Sequence, residues 1–341
     1  MKAAVLREVG KPFVVEQVRR PEIGPDEVLI QTSACGICRT DIHIQDGLAY
    51  VPTLPHVPGH EAAGTVVETG PQVTGVEIGQ RVVPHLFASC WACSYCRTGH
   101  HAQCTNLKGI LGVTLWGGFA EFFKAPARNL LTVPDGVPLE VAGLVSCAVI
   151  TAVHAYRRAR LQANDTAVVL GVGGIGLILT QLLKAAGVRV VAVARSDRSL
   201  ELALEADADL TVRADASDAT EQVRAFAGPS RDGAQCVFEM VGNAQTMKAA
   251  AEYVMRRGRI VVIGEEPDFP PIDTIQIAQR ELEIVGSRNG GMEDAIDALD
   301  LMAAGTIRPV IDRTFSLDQV NEAMDYLRGG KARGRVIIKP E

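Results

Sequence analysis

The sequence predicts an α/β protein of two domains, a β-rich first domain and a doubly wound parallel sheet behind it. Three observations carry this. A chain of 341 residues has room for two cores at roughly 150 residues per domain. Its first part holds short alternating segments, EVLIQTSA, GTVVETG and QRVVPHLF, separated by turn signals such as IGPDE, LPHVPGH and PDGVP. Turn signals at spacings of about 8–12 residues mark a β-rich domain. From Val149 the rhythm changes to short apolar runs, VVLGV, VRVVAVA, DLTV, CVFEMV and RIVVIG. Helix-like stretches alternate with them: GLILTQLLKAAG, SLELALEADA, AQTMKAAAEYVMRRG and DAIDALDLMAAG. Apolar strands alternating with amphipathic helices mean a parallel sheet covered on both faces. The last segment adds a helix, SLDQVNEAMDYLRGG, and a closing strand, GRVIIKP.

Composition narrows the function classes. Hydrophobic residues at 47% and charged residues at 22% exclude disorder as the main state. A formal net charge of −6 and 5% aromatic residues argue against nucleic acid as a partner. The N-terminus lacks the apolar core of a signal peptide, and no stretch reaches about 18 apolar residues, so no membrane partner is expected and the setting reads as cytoplasmic. Eight cysteines there are read as metal ligands or reactive thiols before disulfides.

The segment DTAVVLGVGGIG places Gly171, Gly173 and Gly176 in G-x-G-x-x-G, directly after a strand and opening an apolar helix. The first glycine permits the tight turn, the second lets backbone approach a pyrophosphate, and the third lets helix pack on strand. With Gly174 and Ile175 they form the expected dinucleotide turn, whose helix N-terminus faces the phosphates. An NAD-binding sheet places Asp or Glu at the end of its second strand. Here that strand, Val188 to Ala194, ends in Ala194, followed by Arg195, Ser196 and Asp197. Without a carboxylate, Arg195 and Ser196 can receive a 2′-phosphate, so the cofactor is NAD(P) with NADP favoured. The alternative is that Asp197, shifted along the loop, reaches the ribose 2′-OH.

Cys90, Cys93, Cys96 and Cys104 form C-x2-C-x2-C-x7-C in a loop-like lobe at about residues 88–106. Four thiolates this close suit one closed, structural zinc site. Two disulfides, free thiols or an iron–sulfur cluster are the other readings. His100 and His101 in the same lobe read as exposed loop histidines. A second constellation collects Cys35, Cys38, Arg39, Thr40, Asp41 and His43 within nine residues, then His60 and Glu61, then Cys147. Two cysteines and one histidine with an open fourth position make a catalytic zinc site.

These motifs resemble the zinc-dependent medium-chain alcohol dehydrogenases over essentially the whole chain. The resemblance is carried by GICRTDIH (Gly36 to His43), GHEAAGTVVETG (Gly59 to Gly70), GQRVV (Gly79 to Val83) and the four-cysteine lobe. GGFAEF (Gly117 to Phe122), SCAVITAVHA (Ser146 to Ala155) and GVGGIG (Gly171 to Gly176) continue it. It implies a GroES-like catalytic domain at 1–148 and 286–341, with a Rossmann domain at 149–285 between. It implies two Zn2+ per chain, the catalytic one on Cys38, His60 and Cys147 with Glu61 beside it. It further implies a proton path through Thr40 and His43, orientation of His60 by Asp41, and a pyrophosphate contact from Arg39. Zinc would act as a Lewis acid while hydride passes between carbinol carbon and nicotinamide. Homo-oligomers are implied, tetramers favoured over dimers.

Two departures stand out: His85, where microbial relatives often carry tryptophan, and Trp116, where many carry a polar residue. Cys35 reads as a nearby non-ligand thiol and Cys236 as a buried hydrophobe. The rival functions are a zinc-free quinone or enone reductase of the same superfamily, which would lack Cys38, His60 and Cys147, and a non-catalytic nucleotide-binding protein on this scaffold.

Overall fold

The computed structural model describes every residue except Ala49, Val51, Pro267, Phe269, Pro271, Ile272 and Glu341. Two compact units form, one of Met1–Ile150, Gly290–Ala304 and Pro309–Glu341, the other of Thr151–Asn289 and Gly305–Arg308. The first is built from both ends of the chain. The crossings lie at Ile150 and Asn289, against 148 and 285 in the sequence reading. The helix Ala148–Ala159 runs through the first crossing. Gly305–Arg308 joins the second unit because the Gln181 side chain bonds both the N–H and the carbonyl of Arg308, at 2.8 and 3.2 Å.

In the first unit a seven-stranded sheet is organised around the long strand Glu27–Ile37. That strand pairs antiparallel with Glu61–Thr69, Phe122–Pro126 and the C-terminal strand Arg335–Lys339. It is buried over most of its length, with Gln31 exposed and Ser33 half-buried. Sequence-distant partners therefore meet at its last residues: Gly36 lies opposite Glu61 on one side and Ile337 on the other. Glycine is required at 36, since a Cβ there would strike the Glu61 carboxylate and lie 2.8 Å from Leu144. Phe119, Phe123, Leu29 and Ile30 fill the core beneath.

The second unit carries a six-stranded parallel sheet in the order Leu210–Arg213, Arg189–Ala194, Thr166–Leu170, Ala234–Glu239, Val254–Val262, Glu283–Gly286. Numbered along the chain this is 3-2-1-4-5-6, the doubly wound order whose crevice opens between its first and fourth strands. The strand Thr166–Leu170 is buried throughout, as expected where helices cover both faces. One element differs from the sequence reading. The helix expected over AQTMKAAAEYVMRRG stops at Tyr253, and Val254 already begins a strand. Arg280 ends it by donating to the carbonyls of Ala251 and Val254, and Arg257, at φ +59, bends the strand that follows.

Candidate functional site

The first cluster starts where Glu27–Ile37 ends. Cys38 is the extended N-cap of the helix Arg39–Asp46, and its backbone N–H donates to Asp41 Oδ2 at 2.8 Å. The other Asp41 oxygen meets His60 Nδ1 at 3.2 Å. One buried carboxylate thus caps the helix and orients an imidazole. His60 and Glu61 sit at the start of their strand, and Cys147 between a 3-10 turn and the helix Ala148–Ala159. Ligand atoms of Cys38, His60, Glu61 and Cys147 all lie within 4.8 Å of one another.

The donor chemistry of this cluster fits a divalent ion. His60 Nε2 and Glu61 Oε1 are buried with no hydrogen-bond partner, a costly state unless something else satisfies them. A hydrogen bond from Cys147 holds the Cys38 thiol well below its ordinary pKa, and Cys147 is pushed well above its own. Burial pulls the His60 imidazole down, but the charge and hydrogen bond of Asp41 outweigh it and leave it well above the ordinary value. Burial raises Glu61, opposed by Arg335, whose guanidinium pairs with Glu61 Oε2. Two sulfurs, one imidazole and one carboxylate are a borderline-soft set suited to zinc. Thr40 stands 3.8 Å from Cys38 Sγ, half-buried; His43 is buried on the same helix, and Arg39 is exposed at its first position. Cys35 is buried outside the cluster.

The second cluster is local. Cys90, Cys93, Cys96 and Cys104 also bring their sulfurs within 4.8 Å. Cys90 Sγ and Cys96 Sγ are 4.0 Å apart, near the edge of about 3.8 Å for a tetrahedron with metal–sulfur bonds of about 2.3 Å. Backbone N–H groups of Ala92 and Cys93 point at Cys90 Sγ, and those of Cys90 and Asn106 at Cys104 Sγ. Backbone hydrogen bonds from Cys96 and Thr105 lower Cys93 to about 5, whereas burial raises Cys96 to about 12.

His100 is exposed in this lobe, but His101 is buried, contrary to the sequence reading. Its ring packs tilted against Trp91 at 4.4 Å and accepts from the Met292 N–H at 3.3 Å, docking the lobe on the helix Met292–Ala303. His85 is a satisfied histidine, its Nε2 bonded to the Gly290 carbonyl at 3.1 Å. Trp116 donates to the Pro55 carbonyl and packs against the core. Cys236 is buried within its strand.

In the second unit Gly171 takes φ +103 and donates to the Val193 carbonyl. Gly173 caps the helix Gly174–Ala185, whose first turn contains Ile175 and Gly176. A Cβ on Gly176 would lie 2.6 Å from the Gly171 carbonyl oxygen. At the end of the second strand Arg195 and Ser196 are exposed. Ser196 caps the helix Asp197–Glu205 through Ser199 N–H at 3.2 Å, and Asp197 is held by Arg213 at 2.7 Å.

Three residues escaped the sequence reading. Arg335 carries no local signal; only the pairing of the last strand brings it to Glu61. Arg213 likewise closes an unremarkable strand. Glu239 did carry a signal, a lone carboxylate in the apolar run CVFEMV. It is fully buried and accepts from the N–H groups of Val241 and Gly242 at 2.9 Å, fixing the turn beside Gly171.

Comparison with known proteins agrees with this anatomy. The alcohol dehydrogenase GroES-like domain matches residues 24–135, and the zinc-binding dehydrogenase domain matches residues 174–304. An alcohol dehydrogenase of Geobacillus stearothermophilus is 34% identical over 343 residues, covering 99% of each chain. An NAD-dependent alcohol dehydrogenase of Sulfolobus acidocaldarius is 30% identical over 349 residues, again 99% of each. The crystal structure of a zinc-binding dehydrogenase from Sinorhizobium meliloti, bound to NADP, matches with a TM-score of 0.89 at 33% identity over 99% of both chains.

Proposed function

The chain belongs to the zinc-dependent medium-chain alcohol dehydrogenase family, and from that premise we propose how its own residues carry out the reaction. It is a zinc-dependent oxidoreductase that interconverts an alcohol and its aldehyde or ketone with a nicotinamide cofactor. Cys38, His60 and Cys147 would hold the catalytic zinc, with Glu61 beside them. The reading rests above all on His60 Nε2, a buried nitrogen left without a partner among two thiols and a carboxylate. Zinc bound there supplies a Lewis acid that brings the ionisation of an alcohol toward neutral pH.

The remaining steps belong to the chain. Asp41 engages His60 Nδ1 and so reserves Nε2 for the metal. A bound nicotinamide would supply the hydride acceptor in oxidation and the hydride donor in reduction. Thr40 would take up the hydroxyl proton, and His43, buried on the same helix, would deliver it to solvent. Arg335 balances Glu61 and keeps that carboxylate from being an uncompensated charge beside the reacting atoms. The turn Gly171–Gly176, at the start of the helix Gly174–Ala185, would receive the pyrophosphate.

The finer reading adds a second zinc on Cys90, Cys93, Cys96 and Cys104, and a preference for NADP. The preference is supported by an exposed Arg195, by the lack of a carboxylate at Ala194, and by an Asp197 already engaged with Arg213. Thiolate clusters call for a reducing compartment, which supports a cytoplasmic setting. Among the described residues, no single helix is long and apolar enough to cross a membrane. A homo-oligomer, with a tetramer favoured, is supported by the edge strand Glu283–Gly286 and by the helix Thr274–Arg280, which buries no residue and exposes Ile275. The function is tested by cofactor absorbance at about 340 nm across a panel of alcohols and ketones, alongside metal analysis of the same sample. A zinc-loaded protein inert toward every member of the panel with both cofactors overturns it.

A further inference from the structure

We propose that Arg213 selects the cofactor, by exchanging its ion pair with Asp197 for one with the 2′-phosphate of the adenosine ribose. The inference deepens the NADP reading above and rests on it. Strand register provides the first argument. In the parallel pairing of Leu210–Arg213 with Arg189–Ala194, Arg213 lies directly beside Ala194. Ala214 N–H donates to the Ala194 carbonyl at 2.8 Å, which locks that register at its last step. Ala194 is the position at which an NAD-binding sheet carries its ribose carboxylate. A guanidinium therefore rises from the neighbouring strand at the point where the 2′ substituent is read.

The second argument is reach. Arg213 spans the turn of Arg195 and Ser196 to touch Asp197 Oδ1 at 2.7 Å, so its charged end lies over that turn. Ser196 is committed to capping its helix, which leaves the reading of a phosphate to the two arginines. The third argument concerns exchange. Asp215 grips Arg213 through two bonds, at 2.9 and 2.8 Å, and orients the fork. Asp197 holds it through one, and the Asp197 side chain is 79% exposed. An exposed single contact contributes little, whereas a phosphate accepts a guanidinium bidentately. Asp197 is thus the displaceable partner and Asp215 the positioning residue. With ribose 2′-OH in the site, the Asp197 pair stays closed and Arg213 gains nothing.

The test is calorimetric titration of the zinc-loaded protein with adenosine 2′,5′-bisphosphate and with 5′-AMP, ligands that differ only in the 2′-phosphate. Arg213→Gln should weaken the bisphosphate by about tenfold or more, the loss of a charge-assisted contact, with AMP unchanged within about twofold. Asp197→Asn should tighten the bisphosphate several-fold and leave AMP alone. Arg213→Lys, which keeps the charge without the fork, should recover only part of the loss, and thermal melting checks that each variant is folded. If Arg213→Gln leaves the ratio of the two affinities within about twofold of wild type while Arg195→Gln collapses it, the proposal is overturned and the NADP reading stands. If wild type binds AMP as tightly as the bisphosphate, the NADP reading falls. In that case a tenfold loss of bisphosphate in Arg213→Gln would still uphold Arg213 as the phosphate reader, and no loss would sink both.

Discussion

The two sulfur clusters of the first unit are made of similar atoms and built in opposite ways. The four-cysteine lobe takes all its sulfurs from Cys90 to Cys104, and backbone N–H groups point at those of Cys90 and Cys104. Its four grouped donors are all sulfurs, with no imidazole and no carboxylate among them. The other cluster draws Cys38, His60 and Cys147 from three separate segments, and its ionic balance from Arg335 at the far end of the chain. It leaves His60 Nε2 and Glu61 Oε1 without partners. A closed shell of thiolates contributes folding energy and nothing else; an incomplete, mixed shell on a rigid sheet leaves a position for chemistry. Two zinc ions of different lability should follow, the open site losing metal to a chelator first and activity with it. One zinc per fully active chain would contradict this.

The largest effect should come from the ligands of the open site. Cys38→Ser or His60→Ala should abolish turnover while the melting transition survives, read by assay and calorimetry on one preparation. Cys93→Ser should do the reverse, lowering soluble yield and melting temperature through loss of a metal whose binding is folding energy. If Cys93→Ser leaves both unchanged, the contrast between the clusters fails.

A smaller effect sharpens the role of the support around the open site. Asp41→Asn removes the charge that orients His60 and should cost about 10–100-fold in zinc affinity or activity, the usual range for residues behind metal ligands. Equal zinc affinity and equal turnover would leave Asp41 as a helix cap alone. His43→Gln, which touches no ligand, should slow oxidation by about tenfold at neutral and lower pH, where few other bases take the proton. Added imidazole should restore part of the rate. A variant as fast as wild type from about pH 6 to pH 9 would move the proton route elsewhere.

A separate effect, read in stability and not in turnover, concerns the scaffold of the first unit. Burial lowers both His56 and His85 to about 4. An unfolded histidine binds its proton near pH 6.5, so both groups contribute stability that is present above that value and is lost as pH falls toward 4. Each is worth on the order of 3 kcal/mol across that window. Denaturant unfolding should weaken over that range, and His85→Asn, which keeps a donor for the Gly290 carbonyl, should flatten the dependence. An unchanged slope would show that His85 is not part of the acid response.

Much of this molecule is legible in one dimension. The glycines at 171 and 176 are legible between an apolar strand and an apolar helix because the turn leaves no room for a side chain: Gly171 takes φ +103, and a Cβ on Gly176 would lie 2.6 Å from the Gly171 carbonyl oxygen, whereas Gly173 has open space around it and is legible from the spacing alone. The four-cysteine lobe is legible because its thiols are near neighbours along the chain, so spacing alone brings their sulfurs together. The Cys38 segment was legible up to Asp41, whose two oxygens serve a cap three residues away and an imidazole nineteen residues away. The helix expected through Gly258 was not legible, because Arg280 caps it from a distant element.

What the sequence by itself determined are the features that depend on neighbours in the chain: alternation of strand and helix, glycine turns, closely spaced thiols. Tertiary structure alone decided the features that depend on register between distant strands. Arg335 meets Glu61 because the C-terminal strand pairs with Glu27–Ile37, and Arg213 stands beside Ala194 because two parallel strands end level. His101 was read as a loop residue and is buried because the lobe docks on the helix at Met292. Local backbone preference acts over a few residues, but pairing of strands and burial of charge are settled only when the whole sheet closes, and those pairings fix which charges face each site.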